Sequence, residues 1–103
     1  MLYIKSDKVR IFLKKKAIND PHLQKIIIYG SYARREHRPD SDIDTIMISD
    51  DIKLSKNYWS QIQFEILELY AIHVSMLIVS TLDELPPHLS STIKNEGILL
   101  WQK

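Results

Sequence analysis

Two short runs rich in β-branched residues fix most of what this chain can fold into: KIIIY at 25–29 and IDTIMIS at 43–49. Each is shorter than a typical helix and has the composition of a buried strand. Between them lies a polar stretch that opens with Gly30-Ser31 and closes with Asp42-Ile43-Asp44. A third run, 72–79, is apolar at nearly every position, which predicts a strand central in a sheet.

Helices are predicted around these strands. Over 6–18, Val9, Phe12, Leu13 and Lys16 fall near helical spacing, with Ser6 or Asp7 as N-cap and an end near Asn19-Asp20-Pro21. Lys14, Lys15 and Lys16 then occupy the last turn, where cations complement the helix dipole. A short helix is expected over 31–36, a turn containing Pro39 over 37–40, and an exit loop at Asp50-Asp51. Trp59, Ile62, Ile66 and Leu69 place one apolar stripe on a helix over 58–70. Thr81 and Glu84 have the spacing of a capping box, but Pro86-Pro87 moves the continuous helix to 88–96. Gly97 stops it, and 98–101 forms a last short strand.

This order gives an α/β (α+β) fold, a small mixed β-sheet flanked by helices, with one domain over 1–103. The twelve-position step from Gly30 to Asp42 admits either a short crossover or a wide return.

Composition matters mainly for what it excludes. At 45% hydrophobic and 26% charged residues, the chain has the make-up of a globular protein, not a disordered one. No apolar run approaches the roughly 20 residues of a membrane span, and lysines and an arginine interrupt the N-terminus where a secretory signal would be apolar. With no cysteine there is no disulfide framework and no thiolate chemistry. A cytoplasmic location fits. Residues 1–38 hold ten Lys/Arg against three Asp/Glu, whereas 39–103 hold four against ten. The basic half could face an anionic partner such as nucleotide phosphate or RNA, or form a solvated helix face.

The polar stretch carries the chemistry. A glycine after a buried strand bends the backbone and lets a ligand approach where a Cβ would intrude. A helix starting at Ser31 would present free N–H groups to phosphate. Alone, Gly-Ser is equally a plain strand-to-helix turn. Asp42 and Asp44 are two residues apart, so on a strand they share one face at a Cα separation of roughly 6.5–7 Å. Alone, they are equally a solvated strand entry. Together, Gly-Ser and Asp-x-Asp between two apolar strands suit a site for phosphate and Mg²⁺, a hard cation that takes oxygen ligands.

The segment GSYARREHRPDSDIDTIMI also resembles the signature of the DNA polymerase β-like nucleotidyltransferase superfamily, specifically its minimal nucleotidyltransferases. Gly30, Ser31, Ala33, Arg34, Glu36, Pro39, Ser41, Asp42, Ile43 and Asp44 fall on that pattern, and NEGILLW resembles the family's closing segment. The resemblance implies Mg²⁺-dependent transfer of a nucleoside monophosphate, commonly AMP from ATP, to a hydroxyl. It implies nucleotide binding by Gly30, Ser31, Arg34 and Ser41, with Gly30 and Ser31 on the β- and γ-phosphates. Asp42 and Asp44 become the metal ligands and catalytic residues. It further implies an antitoxin paired in a hetero-oligomer with a helical HEPN-type ribonuclease toxin, neutralised by adenylylation of a tyrosine.

Two positions depart from the pattern. Arg35 stands where the family has glycine. Ser75 stands where the next strand normally supplies a third carboxylate, and no Asp or Glu occurs between Leu69 and Leu82. His73 lies two residues from Ser75 as a possible substitute base, while Glu65 and Glu68 suit an exposed helix face. The alternative function is therefore a catalytically degenerate, partner-binding antitoxin module. A nucleic-acid-binding role for the basic first helix is a third, less favoured reading.

Overall fold

A computed structural model describes residues 4–30 and 42–103. Its elements run α1 (Ile4–Ala17), β1 (Leu23–Tyr29), β2 (Ile43–Ser49), α2 (Ile52–Tyr70), β3 (Val74–Val79), a 3-10 turn (Leu82–Glu84), α3 (Pro87–Glu96) and β4 (Ile98–Gln102). The expected short helix over 31–36 and turn over 37–40 lie outside the described residues.

The sheet is mixed, in the order β3-β2-β1-β4. β1 is antiparallel to both β2 and β4, whereas β2 and β3 are parallel. β1 and β2 are thus antiparallel neighbours, which excludes a crossover between them. The parallel β2–β3 pair instead needs a crossover, which α2 supplies.

Alternation along the strands sorts side chains between two cores. Ile26 and Ile28 of β1, with Ile43 and Met47 of β2, pack under α1 and α2 against Val9, Leu13, Trp59, Ile62 and Ile66. Ile27, Tyr29, Ile46 and Ile48 turn to the opposite face, against Leu82, Leu85, Leu89 and Ile93. The helices thus cover both faces, as the apolar strands require.

Five expectations change. β3 lies at the sheet edge, not its centre. It is apolar because α2 covers one face while Val79 packs beside Leu85 and Ile93 on the other, and its Leu77 stays exposed. Leu69 leaves the α2 stripe and is 62% exposed. The next inward position after Ile66 is Tyr70, whose ring meets Phe12 edge-on at 5.9 Å. α2 begins at Ile52, six residues before the expected start at 58, because Asp51 caps it by accepting from the Leu54 N–H at 3.1 Å. The capping box at Thr81 does not form: Thr81 makes no cap bond, and Glu84 instead accepts from the backbone N–H and hydroxyl of Ser80. α1 begins at Ile4, so Asp7 belongs to its first turn and is not a cap.

A polar node that no local sequence signal marks lies at the far end of the sheet. Asp20 is 5% exposed, and its Oδ2 accepts from Ser55 Oγ at 2.8 Å and Trp59 Nε1 at 2.9 Å. Its Oδ1 accepts from the His22 N–H, while Ser55 also pairs with buried Ser49. The node ties the end of α1 to β1, β2 and α2.

Candidate active site

The antiparallel register sets Tyr29 opposite Asp44, so the chain leaving β1 turns at Gly30 directly beside the start of β2. Gly30 has φ +79°, a left-handed conformation that costs other residues roughly 1–2 kcal/mol. A Cβ on Gly30 would lie 2.6 Å from Asp44 Oδ2. The glycine is therefore required twice, for the bend and for the room it leaves the carboxylate. The expectation at Gly30 is a ligand's approach; the group the structure brings against it is the chain's own Asp44 carboxylate.

Asp44 shares its strand face with Ile46 and Ile48, the side covered by α3. Asp42, one residue before β2, continues that alternation and is exposed. Its Oδ2 lies 3.3 Å from His73 Nδ1. Parallel pairing places Ser75 beside Asp44 at the same register. Thr45, fully buried on the opposite face, locks that register by donating to the Ser75 carbonyl at 2.9 Å. Position 75 is thus where a third carboxylate would meet Asp44, and it holds a neutral hydroxyl.

Tyr29, also on this face, has its phenol raised above its ordinary range, first by burial and then by the nearby Asp44 charge. It stays protonated through neutral pH and adds no further negative charge beside the carboxylates.

Among the described residues no group of three or more His, Cys, Asp or Glu side chains is arranged to hold a metal ion. Asp42 and Asp44 still suit Mg²⁺, which commonly takes one or two carboxylates and completes its shell with phosphate oxygens and water. Ser31, Arg34 and Ser41, the remaining expected nucleotide-binding residues, lie outside the described residues. Of the other candidates, Glu65 and Glu68 are exposed on α2, as expected, and Glu65 pairs with Lys16 at 3.9 Å. Lys8, Lys14 and Lys15 are exposed along α1. No helix among the described residues is long and apolar enough to cross a membrane.

Comparison with known proteins gives one family match: residues 12–103 fit the model described as polymerase beta, nucleotidyltransferase. No curated protein matches the sequence significantly. Among solved structures, a toxin–antitoxin structure with AMP-PNP aligns with TM-score 0.70 and 21% identity, over 91% of this chain and 73% of that one. A protein assigned as a minimal nucleotidyltransferase gives TM-score 0.66 and 21% identity, over 94% and 93%. A complex of tri-AMPylated Shewanella oneidensis HEPN toxin with MNT antitoxin gives TM-score 0.61 and 19% identity, over 100% and 74%. At such identities these structural likenesses are likenesses of fold.

Proposed function

The chain belongs to the polymerase β nucleotidyltransferase family, and on that premise we propose that it transfers a nucleoside monophosphate, AMP from ATP, to a hydroxyl of a partner protein. The partner in this reading is a HEPN-type toxin held in a hetero-oligomer, with this chain as its antitoxin. The observation that carries the reading is the register of Tyr29 against Asp44, which sets the Gly30 turn against a carboxylate on the face shared with Asp42. A likeness in fold to toxin–antitoxin structures, one with AMP-PNP and one with an AMPylated toxin, supports the choice of nucleotide and partner.

Asp42 and Asp44 would hold Mg²⁺, and Gly30, Ser31, Arg34 and Ser41 would hold the triphosphate. Bound Mg²⁺ supplies charge stabilisation for the departing pyrophosphate. The acceptor oxygen attacks the α-phosphorus as the α–β anhydride bond breaks, and pyrophosphate leaves. With Ser75 beside Asp44, β3 offers no carboxylate to take the hydroxyl proton, which passes to water. The chain's own contribution is positioning and electrostatics. In this reading the acceptor hydroxyl is the partner's own.

The test is incubation with α-labelled ATP, Mg²⁺ and a candidate toxin. Label should appear on the partner and disappear in Asp42→Asn and Asp44→Asn. Absence of transfer, with nucleotide binding unchanged in Asp42→Asn, would refute the reading. Ser75 favours a second one, in which the chain binds its partner without catalysis. That version predicts a stable complex, no label, and no effect of Asp44→Asn on assembly.

A further inference from the structure

We propose that His73, oriented by Gln63, is a positioning residue that holds the Asp42 carboxylate ready for a cation. This rests on the reading of Asp42 and Asp44 as cation ligands.

The main chain brings the two residues together. Ile43 N–H donates to the His73 carbonyl at 3.0 Å, so the side chains of Asp42 and His73 leave the sheet side by side. His73 Nδ1 then lies 3.3 Å from Asp42 Oδ2, and its Nε2 lies 3.5 Å from Gln63 Nε2 on α2. The orientation of the Gln63 amide is settled independently, because its Nε2 donates to the Val74 carbonyl at 2.6 Å. The group facing the ring is therefore an NH₂, which can only donate. His73 Nε2 must accept, which leaves the ring proton on Nδ1, directed at Asp42 Oδ2.

The result is a relay from α2 through the imidazole to one oxygen of an exposed carboxylate. It restrains Asp42 through Oδ2, and among the described residues no contact engages Oδ1, the oxygen a cation would take. Such outer partners orient metal ligands, and their loss typically weakens metal affinity by about 10–100-fold. Where Ser75 supplies no third charge, this restraint is the contribution β3 and its lead-in make to the site.

The experiment has two arms. In the first, long-range ¹H–¹⁵N NMR of the metal-free protein in alkaline buffer reports which ring nitrogen of His73 carries the proton. Nδ1–H is expected, shifting toward Nε2–H in Gln63→Ala; Nε2–H in the unmodified protein would overturn the proposal. In the second, Mn²⁺ affinity is measured by electron paramagnetic resonance with a non-hydrolysable ATP analogue. His73→Ala should weaken binding about 10–100-fold. His73→Asn, whose amide nitrogen can take the place of Nδ1, should recover most of it, and His73→Gln should not. Metal-free melting temperatures of these variants should agree. Equal behaviour of the Asn and Gln variants, or unchanged binding in His73→Ala, would overturn the relay alone, provided Asp42→Asn abolishes binding. Unchanged binding in Asp42→Asn would overturn the cation-site reading and this inference with it.

Discussion

Gly30→Ala separates the stability of the fold from the geometry of the site. Alanine at φ +79° costs about 1–2 kcal/mol from its left-handed backbone alone. The new Cβ also meets Asp44 Oδ2 at 2.6 Å, but that oxygen ends a flexible side chain and can rotate away for about 0.5–1.5 kcal/mol. The total, about 2 kcal/mol, should lower the melting temperature by roughly 10 °C while leaving a folded protein. The rotation displaces the carboxylate, however, and a displacement of about 1 Å in a site of this kind can cost about 100-fold. Gly97→Ala is the matched control. Its φ of −65° is ordinary, but a Cβ there would fall against the Ile93 carbonyl oxygen and 2.9 Å from Ile27 Cγ2. Backbone cannot rotate aside, so a loss of about 2–3 kcal/mol with nucleotide binding intact is expected. Urea denaturation followed by fluorescence of fully buried Trp59, with calorimetric titration of a Mg²⁺-loaded ATP analogue, measures both quantities. If Gly30→Ala keeps its affinity, or if both variants lose it equally, the close approach at Gly30 has no part in the site.

Ser75→Asp should place a third carboxylate beside Asp44, lowering the metal-free melting temperature by like-charge repulsion and enlarging the rise produced by Mg²⁺. Any transferase activity should increase by about 10²-fold, the lower end of a general-base contribution, as measured by label transfer. Asp20→Ala strands the buried donors of Ser55 and Trp59 and should cost about 2–4 kcal/mol in chemical denaturation, with Asp20→Asn milder because an amide oxygen still accepts. A loss below about 1 kcal/mol would show that the node adds little to stability. Tyr29 is raised above 10.0 in the folded state, by burial and then by Asp44, so the unfolded chain releases this proton first. Its stabilising contribution is complete below about pH 10 and falls as pH rises through the folded value. Tyr29→Phe should therefore flatten part of the alkaline loss of stability seen in melting curves above pH 10, and an unchanged curve would refute the assignment.

The local signals were the ones the sequence carried well. β2 spans Ile43–Ser49 as its pattern predicts, and β1 and α3 differ from expectation by two residues or fewer at each end. Those elements are set by β-branched runs, proline and glycine, whose effects act within a few residues. The apolar pattern marks too short an α2 because residues 52–57 bury only Ser55, so the helix there rests on its Asp51 cap and has no apolar stripe to mark it. At the site, the Asp-x-Asp spacing was legible because strand alternation is local. The pairing of Asp44 with Tyr29 and Ser75, and of Asp42 with His73, was not, since it depends on register between distant segments.

By itself the sequence determined which segments become strands and helices, the two-carboxylate motif and the glycine before it, because dihedral preference and side-chain alternation are properties of neighbouring residues. Tertiary structure alone decided that β3 is an edge, that Asp20 is a buried node, and that His73 reaches Asp42. Lateral strand order and burial depend on what packs alongside, and an apolar run reports only that something must.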